Sequence, residues 1–108
     1  MAATLPKPLA EYFAAANAGD AAGVAACFAE DAQVYDEGRE ITGRAAIRTW
    51  AEETQRKYSF QSKPLSIKQL ENHTIVVAHL TGDFPGSPIN LSYRFKLTGT
   101  QITAVEIG

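Results

Sequence analysis

A single cysteine, Cys27, stands among the 108 residues, so no internal disulfide can form and a cysteine-built metal site has no ligand set. It lies in an apolar stretch of helical character, where a lone thiol serves as a small core residue. Histidine is nearly as scarce. His73 and His79 have no further His, Asp or Glu around them at ligand-like spacing, so no metal is expected. His73 falls in a turn with Glu71 and Asn72, and His79 reads as a half-exposed sheet residue rather than a base. There is no surplus of positive charge. A net charge of -2 and a pI near 5.6 argue against nucleic acid, which needs a basic patch. Arg44, Arg48, Arg56 and Lys57 are interrupted by Glu52 and Glu53, as on a solvated helix face. No phosphate loop, nucleotide fingerprint or nucleophile elbow is present, and no cofactor is implied. Residues 1–12 hold no leader-like apolar run, and no segment approaches membrane-spanning length, so a cytoplasmic setting away from membranes is expected.

What the chain does have is enough apolar content, 45% against 20% charged, to bury a core, and one domain over 1–108 is expected. Pro8 suits a first helical turn, Leu9, Phe13 and Ala16 recur at helical spacing, and Gly19 is a stop. Asp20 can cap a second helix with Val24, Cys27 and Phe28 on one side, ended by Asp31. A short strand over 32–36 leads into a Glu37-Gly38 turn. Thr42 is the expected N-cap of a third helix of about four turns, with Ala46, Ile47, Trp50, Thr54 and Tyr58 on its buried side. The period then switches to two. Strands are expected over 58–70 (Pro64 marking an edge or a bend), 74–84, 89–97 and 101–107.

The strand over 89–97 alternates most sharply. Ile89, Leu91, Tyr93, Phe95 and Leu97 share one face, and Asn90, Ser92, Arg94 and Lys96 share the other. Such a strand has one buried face, as in a mostly antiparallel sheet. Helices early and strands late make an α+β fold. Three helices on a curved sheet can enclose a pocket between the layers.

Two residues stand out as carriers of chemistry. Asp36 follows Ala32 and Val34 on one face, and a carboxylate on an apolar face is expensive unless paired or used. Equally, Asp36 can simply open the turn before Gly38. Tyr12 lies beside Phe13 on the first helix. It is either a core aromatic with its hydroxyl at the rim or a placed donor.

The segments YFAAANAGD (12–20), GVAACFAEDA (23–32), VYD (34–36) and GRAAIRTW (43–50) resemble the ketosteroid isomerase branch of the NTF2-like, or SnoaL-like, superfamily. The resemblance covers the first half of the chain well and the sheet loosely. It implies an NTF2-like (cystatin-like) cone of three helices on a curved, mostly antiparallel sheet. In those isomerases a tyrosine on the first helix donates a hydrogen bond to the developing enolate, and an aspartate ending the first strand moves the proton. Those positions fall on Tyr12 and Asp36, with matching spacing. The isomerases' second donor is a protonated Asp on a central strand. Here that position falls on Tyr93, or near Asn90 or Leu91 in a shifted register.

The expected lining is Tyr12, Phe13, Phe28, Val34, Asp36, Trp50, Ala78, Leu80, Leu91, Tyr93 and Phe95. The first functional expectation is an isomerase or SnoaL-like cyclase, with Asp36 as base and Tyr12 and Tyr93 as donors to a small hydrophobic substrate. The second is a non-catalytic pocket for a small hydrophobic ligand. The third, a protein-interaction module like the nuclear transport factor, wants an exposed apolar stripe that the sequence does not display. Pairing as a homodimer through the outer sheet face is what the family implies.

Overall fold

The first helix, α1 (Lys7–Ala18), starts on Pro6 and Pro8 and stops at Gly19, whose φ of 71° is the left-handed turn glycine takes without strain. The computed structural model describes residues 5–108, so the opening residues 1–4, part of the stretch expected to lack a leader, lie outside it. Asp20 caps α2 (Ala21–Ala26) by accepting from the Gly23 amide at 2.9 Å. This helix is shorter than expected. The Cys27 carbonyl accepts from the Ile102 amide at 2.9 Å, and Phe28 pairs with Ile102, so the sheet claims the chain before another turn forms. Strand β1 (Phe28–Asp36) therefore starts four residues before Ala32.

The turn at Glu37 and Gly38, with φ of 53° and 75°, reverses the chain into β2 (Arg39–Thr42), a strand the sequence did not disclose. Thr42 pairs with Gln33 in that ladder, and the N-cap of α3 (Arg44–Tyr58) is Gly43, not Thr42. Ile47, Trp50 and Ala51 are buried on α3, Thr54 and Tyr58 are half-buried, and Ala46, expected inside, is exposed. Strands β3 (Gln61–Gln69), β4 (Thr74–Thr81), β5 (Ile89–Thr98) and β6 (Gln101–Ile107) follow.

The sheet order is β2-β1-β6-β5-β4-β3, an open six-stranded sheet with edges at β2 and β3. All neighbours are antiparallel except β1 and β6, which run parallel. Pro64 lies on the edge strand, next to a register shift, where its missing N–H does least harm. Further irregularities fall between Phe28 and Gln33 and between Lys96 and Leu97, places where a strand bends. This is the NTF2-like α+β arrangement: three helices on one face of a mixed sheet. Val34, Val76, Ala78, Phe95 and Val105 from the sheet meet Leu9, Phe13, Val24 and Ile47 from the helices in the core. Asn17 clasps the edge strand, donating to the Ser62 carbonyl at 2.8 Å and accepting from the Ser62 amide at 2.7 Å. Among the described residues no helix is long and apolar enough to cross a membrane.

Candidate functional site

Asp36 is the last residue of β1 and shares the inward face of buried Val34, so its carboxylate points toward the helix layer. There α3 presents Trp50, whose Nε1 donates to Asp36 Oδ2 at 3.0 Å. Asp36 Oδ1 accepts no hydrogen bond from the described residues. Burial pushes the carboxyl above its ordinary value. The Trp50 bond opposes that shift, the neighbouring Glu37 charge adds to it, and Arg39 weakly offsets it.

Tyr12 arrives from the middle of α1. Its ring stands edge-on to Phe13 at 5.0 Å, Phe95 at 5.6 Å, Phe28 at 6.0 Å and Tyr93 at 6.3 Å. Tyr93, on β5, stacks along Phe95 at 5.9 Å. No hydrogen bond among the described residues occupies either tyrosine hydroxyl, and both residues line the same cavity as Asp36. Burial holds the Tyr12 phenol well above its ordinary pKa, with Tyr93 and Asp36 adding to the effect. Burial likewise pushes Tyr93 to about 12, although the adjacent Ser62 side chain pulls the other way. The Ser62 hydroxyl is nevertheless sealed without a hydrogen bond of proper geometry, so its influence on Tyr93 is proximity rather than a formed bond. Both phenols therefore stay protonated at neutral pH: they are donors, not bases.

The cavity these groups share measures about 510 Å³, in the range of small-molecule sites. Of the expected lining, Tyr12, Asp36, Trp50, Leu80, Leu91 and Tyr93 face it. Phe13, Phe28, Val34, Ala78 and Phe95 do not. They are packed in the core between the sheet and the helices, four of them at 0% exposure.

The mouth holds residues that the sequence reading did not assign to the site. The Tyr58 hydroxyl donates to Glu37 Oε1 at 3.0 Å, and its ring stands edge-on to Phe84 at 5.9 Å. The loop carrying Phe84 is held against α3 by the Asp83 amide, which donates to the Tyr58 carbonyl at 2.9 Å. Gly82 permits this approach, since a Cβ there would lie 2.8 Å from the Phe60 Cα. Trp50, Thr54 and Tyr58 were legible as one helical stripe. That its later turns face a cavity was not.

Residues 9–106 match the SnoaL-like domain family. No curated protein matches the chain significantly. Among solved structures, a candidate polyketide cyclase from Sinorhizobium meliloti is 34% identical, with a TM-score of 0.91 over 96% of this chain and 95% of that one. A protein of ketosteroid isomerase-like fold from Catenulispora acidiphila, in complex with trimethylamine, is 20% identical, with a TM-score of 0.86 over 97% and 86%. A candidate ketosteroid isomerase from Kribbella flavida is 18% identical, with a TM-score of 0.79 over 94% and 74%.

Proposed function

The chain belongs to the SnoaL-like domain family, and from that footing we propose that it is an enzyme that moves a proton α to a carbonyl of a small hydrophobic substrate. The observation that carries this reading is that Asp36, whose Oδ1 accepts no hydrogen bond from the described residues, lines one largely apolar cavity together with Tyr12 and Tyr93, whose hydroxyls are likewise unoccupied by those residues. The Asp36 carboxylate takes a proton from the carbon α to the carbonyl, and the electron pair moves onto the carbonyl oxygen. Tyr12, with Tyr93 as second donor, hydrogen-bonds the enolate as its charge develops. A carboxyl raised by burial is a stronger base than in water, which suits it to this step. The protonated Asp36 then returns the proton to another carbon, an isomerisation. Alternatively, the enolate carbon attacks a second carbonyl of the same molecule, and Asp36 gives its proton to the new alkoxide, an aldol cyclisation. The likeness to the Sinorhizobium meliloti candidate cyclase supports the second outcome. The family resemblance of Tyr12 and Asp36 supports the first.

A cavity that binds a hydrophobic ligand without turnover is the second reading. It is favoured by the lack of an acid where the resemblance puts the isomerases' second donor, a position that falls on Tyr93, or near Asn90 or Leu91 in a shifted register. The test is a Δ5-3-ketosteroid offered to wild type and Asp36→Asn, with binding and conversion to the conjugated ketone both followed. Conversion by wild type alone supports the isomerase. Equal inertness of two forms that both bind the steroid ends that assignment and leaves the binding reading in front.

A further inference from the structure

Among the described residues, the charge lining the cavity is of one sign: Asp36 and Glu37 both contribute to the wall, and no Lys, Arg or His does. Asp36 is only partly compensated: one neutral donor, Trp50, reaches Oδ2, while the positive charge of Arg39, on an exposed residue of β2, acts on it only weakly. The same cavity is lined by the aromatic residues Tyr12, Trp50, Tyr58, Phe60, Phe84 and Tyr93. A partly desolvated carboxylate beside aromatic rings attracts organic cations, through the charge and through the ring quadrupoles. The same wall repels anions.

We propose that the cavity is also a binding site for apolar amines, which enter as ammonium ions, set the nitrogen against Asp36 and lodge their hydrocarbon among the rings. A bound amine occupies the free Oδ1 and so competes with any carbonyl substrate there. This inference rests on Asp36 facing the cavity, as the proposed function does, but not on turnover.

Three ligands of one hydrocarbon shape separate the charge from the fit: 1-adamantylamine, 1-adamantanol and adamantane-1-carboxylate, titrated calorimetrically at neutral pH. Wild type is expected to bind the amine at least about tenfold more tightly than the alcohol, with the carboxylate weakest. Asp36→Asn is expected to bring amine and alcohol within about threefold of each other. The chain's one tryptophan gives a single indole N–H resonance. Because that proton donates to Asp36, the amine is expected to shift it, and the alcohol to shift it less. Equal affinity for amine and alcohol in wild type, or an amine preference that survives in Asp36→Asn, overturns the proposal. So does failure of all three to bind. Ketone turnover by a chain with no amine preference would sink this inference alone and leave proton transfer standing.

Discussion

The indole N–H of Trp50 holds one oxygen of Asp36 at 3.0 Å, the other accepts no hydrogen bond from the described residues, and both side chains belong to residues that line the cavity. The two residues come from different layers, Asp36 from the end of β1 and Trp50 from the middle of α3. The bond fixes the carboxylate's orientation and limits how far burial raises its pKa. Trp50→Phe keeps an aromatic ring but removes the donor. Its Asp36 carboxyl is expected to titrate higher than in wild type, as followed by carbon-13 NMR. Loss of the bond and of ring volume is expected to cost about 1–3 kcal/mol of stability. An unchanged Asp36 titration would mean that the bond does not tune the group.

Burial also makes Asp36 a liability for folding. Between the ordinary carboxylate pKa and its raised value, the folded chain keeps a proton that the unfolded chain has released. This group's contribution to stability therefore falls as pH rises through that window and stays lower above it. Asp36→Asn retains an acceptor for Trp50 and removes the charge. It is expected to melt above wild type at neutral pH, with the gap closing below the ordinary carboxylate range. Thermal unfolding of both proteins across pH checks this, and a lower melting point for Asp36→Asn at neutral pH would contradict it.

The two tyrosine hydroxyls have no hydrogen-bond partner among the described residues to lose. Tyr12→Phe and Tyr93→Phe are each expected to change stability by less than about 1 kcal/mol. Each is expected to lower turnover by about a hundred- to a thousandfold, the usual effect of deleting one donor to a developing oxyanion. Steady-state kinetics of the two variants checks both roles. Full turnover in Tyr93→Phe would make that residue a wall and leave Tyr12 as the only donor.

Much of this was legible because it is local. Gly19 and Asp20 announce a helix stop and a helix cap by their own chemistry, and the alternation of Ile89 to Leu97 states which face of β5 is inside. Depth was not legible. Tyr93 and Phe95 share a face, yet Tyr93 borders the cavity and Phe95 is sealed beneath α1, because the placement of the helices decides where that face is left open. Alternation likewise could not separate Ala78 from Leu80. Strand β2 was missed because only four residues form it and pairing with β1, rather than pattern, creates it. The Tyr58–Glu37 and Tyr58–Phe84 contacts join segments far apart in the chain, and no spacing rule reports those.

The outer sheet face gives a further expectation. Ile75, Val77 and Ala104 are half-buried there, among Arg94, Lys96 and Glu106. A homodimer through this face is expected, with light scattering reporting twice the chain's 11.6 kDa. Val77→Lys places a charge among those apolar groups and is expected to shift the population toward monomer. Wild type that remains monomeric at high concentration would reject the dimer.

Hydrogen exchange at the carbon α to a ketone tests the central claim most directly. With 2-tetralone in deuterated buffer, wild type is expected to accelerate deuterium uptake over the buffer rate, followed by proton NMR. Asp36→Asn is expected to lose at least about a hundredfold of that acceleration, as removal of a general base does, while still binding the ketone. Equal exchange rates for the two proteins, with both bound to the ketone, would contradict the assignment of Asp36 as the base.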